Sequence, residues 1–145
     1  MEESILTFHI LLFQGDRVLL VKHGEGAGHL TGVWGIPGGR PIDNETPKET
    51  AVREFSEETG LKVENEDLQD FPDNQYTADV QRKDGVSRRY TMKIFLCDTS
   101  TGELKSSTET EPEWIKFSEV SKYNLFPNGQ KAVETAYHFL YHAKV

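Results

Sequence analysis

The sequence is poor in cysteine, in positive charge and in long apolar segments. Among its 145 residues there is one cysteine, and the 24 Asp and Glu residues outnumber the 16 Lys and Arg residues, which gives a formal net charge of -8. A single cysteine excludes an intramolecular disulfide framework, so the fold must depend on a hydrophobic core. The acidic balance argues against a groove for a nucleic-acid polymer, because such grooves carry a basic stripe. No apolar run approaches the roughly 20 residues that a membrane-spanning helix needs.

These absences set the expected class of protein. A chain of 145 residues is long enough to bury a core without disulfides, and we expect one domain over residues 1–145. The N-terminal residues Met1, Glu2 and Glu3 lack the basic character of a signal peptide. We therefore expect a soluble, cytoplasmic protein with no membrane partner.

The most informative stretch begins with a Pro-Gly-Gly turn at 37–39 and ends at a glycine. Thr46 is typical of a helix N-cap, Pro47 suits the first helical position, and Glu49 completes a capping box. Gly60 is typical of the residue that ends a helix. The sequence therefore predicts a sharp turn followed by a helix between Thr46 and Gly60.

Three carboxylates lie on one side of this predicted helix. At about 100° per residue, Glu54, Glu57 and Glu58 fall within an arc of roughly 100°. Like charges at this spacing destabilise a helix unless a cation compensates them. Oxygen ligands without Cys or His suit magnesium or manganese better than zinc. The alternative interpretation is a solvated acidic helix in which Arg53 pairs with Glu57.

The spacing around these carboxylates favours the metal interpretation. Gly39 is followed after five residues by Glu45 and, after seven more, by the nine-residue run 53–61, whose sequence is Arg-Glu-Phe-Ser-Glu-Glu-Thr-Gly-Leu. This pattern resembles the Nudix box at each of its fixed positions, and residues 34–39 resemble the approach to that box. The resemblance implies an α/β/α sandwich around a mixed β-sheet, with the box forming a loop-helix-loop unit.

The same resemblance implies a chemistry and a set of site residues. Nudix hydrolases cleave a nucleoside diphosphate linked to another moiety, by attack of water on phosphorus with a bound divalent metal, here Mg²⁺ with Mn²⁺ as a substitute. Matching the motif position by position assigns metal ligation to Glu54, Glu57, Glu58 and the Gly38 carbonyl. It assigns an orienting role to Arg53 and structural roles to Glu45 and Gly60. Gly39 is the candidate for substrate contact. The general base stays open between Glu54, Glu57 and a glutamate of a later loop.

Outside the box, apolar alternation and turn residues predict the remaining elements. Strands are expected at 5–13, 18–22, 34–36, 61–63, 75–81, 86–97 and 113–117, and a helix from Pro127 onward. The Asp84-Gly85 pair predicts a hairpin turn between two of these strands. A glycine-rich loop at 23–31 and an acidic loop at 99–112 complete the expected order.

Candidate site residues also lie outside the box. Resemblance to Nudix chains with an acidic loop before a Glu-Trp strand makes Glu109 or Glu111 a candidate ligand or base, and the sequence does not choose between them. Arg88 belongs to a basic hairpin that is either a solvated edge or a phosphate-facing patch. Asn128 and Gln130 lie in a segment that loosely resembles the base-contacting segment of triphosphate-cleaving Nudix enzymes.

The resemblance leaves several functions to be compared. The short chain is most similar to the MutT-type subgroup, which implies hydrolysis of a nucleoside triphosphate to a monophosphate and pyrophosphate. The alternatives are ADP-ribose, dinucleoside polyphosphates or nucleotide sugars as substrates, or a non-catalytic nucleotide-binding regulator with a Nudix fold. The expected partner is a small nucleotide. Many members of the family that the chain resembles form dimers, so a homodimer is a further expectation.

Overall fold

The structure is a computed structural model that describes residues 4–24, 26 and 31–142, without the side chain of His142. Most of the glycine-rich segment expected to form a loop, residues 25 and 27–30, lies outside the described residues. The last part of the expected C-terminal helix, residues 143–145, also lies outside them.

The described chain alternates strands with two long helices. The strands are β1 (Ile5–Gln14), β2 (Arg17–His23), β3 (Trp34–Gly35), β4 (Gly38–Gly39), β5 (Leu61–Lys62), β6 (Gln75–Gln81), β7 (Ser87–Cys97), β8 (Thr101–Gly102) and β9 (Thr110–Lys116). The helices are α1 (Pro47–Thr59) and α2 (Gly129–His142), with short 3-10 turns at Asn65–Asp67 and Phe117–Lys122. Within the described residues, no helix is long and apolar enough to cross a membrane.

The main sheet is mixed, with β1 at its centre. Its strand order is β3-β2-β1-β7-β6, and two further strands attach to it, β4 to β1 and β9 to β2. β1 runs parallel to β7, whereas its pairings with β2 and β4 are antiparallel. Because β1 has neighbours on both edges and layers on both faces, most of its side chains are buried, as its apolar sequence predicts.

The two helices cover opposite faces of this sheet. One buried cluster joins Phe8, Ile10 and Leu12 of β1 to Phe55 of α1. The other joins the alternate β1 residues, including Leu11 and Phe13, to α2 residues that include Ala132 and Leu140. The sheet therefore lies between α1 and α2, which confirms the expected α/β/α sandwich.

Helix α1 begins and ends as its sequence predicts. The Thr46 side chain accepts a hydrogen bond from the Glu49 amide, and the Glu49 carboxylate accepts one from the Thr46 amide, so the capping box is complete. Gly60 adopts φ 82°, in the left-handed region that glycine occupies without steric penalty. These local interactions fix the register of the three glutamates within α1.

The expectation of a loop over 99–112 is wrong in two places. β8 pairs with β5, and β9 begins at Thr110, where the expected strand began at 113. The acidic, polar sequence lacks the alternation that marks a strand, and the pairing partner of β9 is the distant strand β2. Pro112 is compatible with β9 because this strand pairs on one side with β2 and otherwise lies at the sheet edge.

Candidate active site

The two glycines of β4, Gly38 and Gly39, adjoin two glutamates of α1. The Gly38 amide donates a hydrogen bond to Glu58 Oε1 at 2.9 Å. At Gly39, an added Cβ would lie 2.5 Å from Cδ of Glu54. Any side chain at 39 would therefore displace that carboxylate. The chain bends at Pro37, whereas Gly38 and Gly39 form β4 and lack the positive φ of turn glycines, so the expected turn does not extend over them. β4 and α1 together form one unit.

Arg53 connects the acidic residues of this unit. Its Nε donates to Glu45 Oε2 at 2.7 Å, and its Nη1 donates to Glu54 at 3.0 Å and to Glu57 at 3.2 Å. The second terminal nitrogen donates to Glu45 Oε1 and to the carbonyl of Arg40, both at 3.0 Å. A planar guanidinium with five donors can satisfy several acceptors in fixed directions. Arg53 therefore orients Glu54 and Glu57 and ties them to Glu45.

The pKa values of these carboxyl groups differ with their surroundings. Burial raises the pKa of Glu58 to about 8, the Gly38 amide opposes this shift, and the charges of Glu54, Glu109 and Glu57 add to it. Burial also raises the pKa of Glu54, against the influence of Arg53. By contrast, the hydrogen bond from Arg53 lowers the pKa of Glu45 to about 2. Burial and the neighbouring carboxylates therefore disfavour the charged forms of Glu54 and Glu58, and a nearby cation would favour them.

The donor set fits a hard divalent cation, although the carboxylates do not yet converge. Among the described residues, no three Asp, Glu, His or Cys side chains are arranged so that they could hold a metal ion together. The reason is visible in the contacts, since Glu54 and Glu57 turn toward Arg53 and Glu58 turns toward Gly38. Glu57 is 58% exposed and can change its rotamer. The oxygen ligands favour cation binding, as do the pKa values of Glu54 and Glu58, which burial and then neighbouring carboxylates raise.

The structure distinguishes the two glutamates proposed for the later loop. The Thr110 hydroxyl donates to the Glu58 carbonyl at 2.9 Å, which fixes the start of β9 against the end of α1. The preceding Glu109 raises the pKa of both Glu54 and Glu58, so its charge lies close to them. Glu111 pairs in register with Lys22 and, by strand alternation, lies on the face of β9 that holds Ile115, in the α2-side core. The fold therefore brings Glu109 to the carboxylates and leaves Glu111 on the other face.

A groove beside β4 and a neighbouring cavity lie on the α2 side of the sheet. The groove has a volume of about 50 Å³ and includes Gly38 and Gly39 in its lining. The cavity has a volume of about 350 Å³, and Val80 and Phe126 line both spaces. The other groove residues are Thr7, His9, Tyr90 and Met92, and the other cavity residues are Val33, Asp79, Gln81, Asn124, Leu125 and Pro127.

Two histidines support the floor and wall of this groove. His9 Nδ1 donates to the Ile36 carbonyl at 2.9 Å, and its Nε2 accepts from the Thr7 hydroxyl at 2.8 Å. Burial lowers the pKa of His9 to about 4, so the ring is neutral at physiological pH. His23 stacks on Phe126 with ring centroids 4.9 Å apart. Both imidazoles are thus fixed by neighbours within the fold.

Three side chains expected to contact substrate lie outside the lining of the groove and the cavity. Arg88 Nη1 donates to Asp84 at 3.2 Å within the β6–β7 hairpin. Asn128, at φ 69°, donates to the Thr77 carbonyl at 3.2 Å and closes the edge of β6. Gln130 donates to Glu134, one turn further along α2, at 3.0 Å. Substrate contact by these three side chains therefore stays a prediction without a geometric argument in its favour.

Comparison with known proteins shows to which family this chain belongs. The model of the NUDIX domain matches residues 4–136. The chain belongs to the Nudix family.

Two curated relatives and one solved structure illustrate this Nudix chain's similarities. The Mycobacterium tuberculosis protein named "Putative 8-oxo-dGTP diphosphatase 3" is 32% identical over 113 residues, which cover 78% of this chain and 51% of the relative. A Bacillus subtilis relative with the same name, without the number, is 42% identical over 132 residues, covering 87% of this chain and 74% of the relative. The MutT protein from Methanosarcina mazei Go1 shares the fold, with a TM-score of 0.75, 20% identity and coverage of 99% and 98%. The chain spans about half the length of the first of these relatives.

Sequence reasoning missed most of the residues that line the Nudix groove and cavity. His9, Tyr90, Asn124 and Phe126 come from separate segments, and none stands in a motif of its own. His9 offered a weak signal, as a polar residue within an otherwise apolar strand. The other three became recognisable when the sheet and the 124–127 segment were placed side by side.

Proposed function

We propose that this Nudix chain hydrolyses a nucleoside triphosphate to a nucleoside monophosphate and pyrophosphate with a divalent metal, Mg²⁺ or, as a substitute, Mn²⁺. In this reaction water adds to phosphorus, and the bridging P–O bond between the α- and β-phosphates breaks. The observation that carries the proposal is that Gly38 and Gly39, which adjoin the acidic residues of α1, also line the groove. The groove in turn shares two lining residues with the larger cavity, Val80 and Phe126.

The acidic unit is the proposed metal and diphosphate end. The proposed ligands are Glu54, Glu57, Glu58 and the Gly38 carbonyl. Glu109 is the proposed fourth carboxylate because its charge acts on Glu54 and Glu58. A divalent cation bound there would neutralise phosphate charge and lower the pKa of a coordinated water. Arg53 holds Glu54 and Glu57 in place, and either of these two glutamates, or Glu109, is the proposed general base.

The cavity is the proposed nucleoside end. Its volume of about 350 Å³ falls within the range of about 300–1,000 Å³ usual for small-molecule sites. Phe126 offers an aromatic face, and aromatic faces stack on nucleobases. The names of the two curated relatives refer to 8-oxo-dGTP, which makes oxidised purine deoxynucleoside triphosphates the first substrates to test.

A substrate panel tests this proposal directly. Release of phosphate and pyrophosphate is measured with Mg²⁺, with Mn²⁺ and with chelator on ordinary dNTPs, 8-oxo-dGTP, ADP-ribose, diadenosine polyphosphates and nucleotide sugars. We expect metal-dependent release of pyrophosphate from triphosphates. Isotope-labelled water then identifies the phosphorus that is attacked, since the label enters either the monophosphate or the pyrophosphate.

Other outcomes of the panel would replace the proposal. Turnover confined to ADP-ribose, a dinucleoside polyphosphate or a nucleotide sugar would retain the metal chemistry and reject the triphosphate substrate. Folded protein that binds Mg²⁺ and nucleotides without turning over any panel member would favour the non-catalytic regulator. Gel filtration of the same preparation tests the expected homodimer.

A further inference from the structure

Arg82 differs from the neighbouring arginines of the β6–β7 hairpin in its partners. Arg88 is paired with Asp84 at 3.2 Å, and Arg89 is paired with Asp79 at 2.9 Å. Arg82 has no carboxylate within ion-pair distance in the part of the chain that the structure describes, although its side chain is half-buried. The pKa of Asp84 is lowered mainly by the Val86 amide and in part by the charges of Arg88 and Arg82, so one carboxylate lies within electrostatic range of Arg82. Because the direct ion pair of this carboxylate is with Arg88, the Arg82 guanidinium can still donate to an anion from outside the chain.

The contacts of Arg82 place it at the groove. Strand alternation puts Arg82 on the same side of the sheet as Val80, which lines both the groove and the cavity. Arg82 Nη1 donates to the Tyr90 hydroxyl at 2.8 Å, and Tyr90 lines the groove together with Gly38. One donor thus fixes the guanidinium to a groove wall.

His23 gives a second, independent location for the Arg82 charge. Burial lowers the pKa of His23, and the positive charges of Arg82 and Lys83 lower it further. His23 in turn stacks on Phe126, which lines both spaces. The Arg82 guanidinium therefore contacts the Tyr90 wall directly, and its charge acts on the histidine that supports the Phe126 wall.

We propose that Arg82 binds the polyphosphate of the nucleotide from the Tyr90 wall of the groove, and that Tyr90 positions its guanidinium. This inference rests on the proposed function and adds a substrate-binding residue outside the box. Arginine donates two parallel hydrogen bonds to phosphate oxygens, and the donors that Tyr90 leaves over are sufficient for this. A chain with a net charge of -8 also needs a local cation where an anionic substrate enters.

Binding measurements test the proposal without depending on turnover. Dissociation constants for tripolyphosphate, dGTP and deoxyguanosine are measured by calorimetry with Ca²⁺ in place of Mg²⁺, so that hydrolysis is suppressed. We expect Arg82→Ala to weaken tripolyphosphate and dGTP binding about tenfold to a hundredfold, as for the loss of hydrogen bonds to a charged group. Deoxyguanosine binding should change less than twofold, and Arg82→Lys should recover part of the loss.

Matched variants separate a phosphate contact from general effects. Arg17→Ala also removes one positive charge, at the end of β2 away from His23, and should leave the three dissociation constants unchanged. Tyr90→Phe retains the Arg82 charge while removing its hydrogen-bond acceptor, and we expect a smaller loss than for Arg82→Ala. The thermal midpoint of each variant reports whether it is folded. If Arg82→Ala does not fold, the two single variants Arg82→Lys and Tyr90→Phe test the phosphate contact instead.

Three results would overturn the inference. The first is wild-type affinity for tripolyphosphate in Arg82→Ala or, if that variant does not fold, in both single variants Arg82→Lys and Tyr90→Phe. The second is an equal loss for deoxyguanosine and dGTP, which would indicate a base contact or a distorted pocket. The third is an equal loss in Arg17→Ala, which would indicate a net-charge effect. Failure of the proposed function looks different: no triphosphate is hydrolysed, yet tripolyphosphate binding still depends on Arg82.

Discussion

The two ends of the groove are built in different ways. The acidic end lies within residues 38–60, and the Arg53 guanidinium donates hydrogen bonds to three glutamates there: Glu45, Glu54 and Glu57. The cavity end combines three distant segments, around residues 33, 79–81 and 124–127, and much of its lining is apolar. A dense polar network fixes geometry for chemistry, whereas an apolar cavity supplies affinity and selects by shape. Substitutions at the two ends should therefore separate turnover from substrate affinity.

The largest effect is expected for Glu57→Gln at the acidic end. This substitution keeps the shape of the side chain and removes one proposed ligand charge, so we expect kcat of metal-dependent hydrolysis to fall by about 10²–10³-fold. Steady-state kinetics on the best panel substrate measures it. Glu119→Gln is the matched control, because Glu119 pairs with Lys122 on the surface. Near wild-type turnover by Glu57→Gln would mean that the site assignment is wrong.

The two glycines of β4 should respond differently to alanine. A Cβ at Gly39 meets the Glu54 carboxylate at 2.5 Å, so Gly39→Ala should lower kcat by about 10–100-fold with a small change in stability. A Cβ at Gly38 meets the His9 ring at 2.3 Å and the Phe8 carbonyl at 2.4 Å, and neither can move easily.

Gly38→Ala should therefore lower the free energy of unfolding by about 1–3 kcal/mol. Urea denaturation and kinetics on both variants measure the contrast. Equal losses of stability in the two variants would show that the Glu54 side chain is as immobile as the backbone of β1.

At the cavity end, Phe126→Ala should raise KM with little change in kcat. Loss of a stacking surface weakens nucleobase binding in the ground state and the transition state alike, so an increase of about tenfold is expected. Leu104→Ala, which truncates an exposed apolar side chain outside the cavity lining, is the control. A fall in kcat at constant KM would instead connect Phe126 to the chemistry and weaken the separation of the two ends.

The smallest effect is an acid dependence of stability at Glu45. The pKa of Glu45 is lowered from 4.5 to about 2, mainly by its hydrogen bond with Arg53, so folding favours the charged carboxylate. This contribution is complete above pH 4.5 and is lost as the pH falls toward about 2. Urea denaturation of the wild type and of Glu45→Gln at a series of pH values should show a difference that shrinks below pH 4.5. A difference that is constant with pH would contradict the role of the Glu45 charge.

The sequence predicted local features well and distant pairings poorly. The capping box at Thr46 and Glu49, the helix end at Gly60 and the hairpin at Asp84 and Gly85 all depend on residues a few positions apart, and each is confirmed. The early start of β9 was missed because its strand character comes from pairing with β2, far away in the chain. Metal ligation by the box glutamates stays a prediction, although the structure places their carboxylates on one helix beside Gly38 and Gly39.

The sequence by itself determined the family and the acidic helix with its caps, because caps and helix periodicity are set by neighbouring residues. Only the tertiary structure decided that Glu109 approaches Glu54 and Glu58 while Glu111 lies on the other face. It likewise decided that Arg82 reaches Tyr90. These contacts depend on strand register and on which edge of a sheet faces which loop. Such arrangements follow from the packing of the whole chain and leave no periodic trace in the sequence.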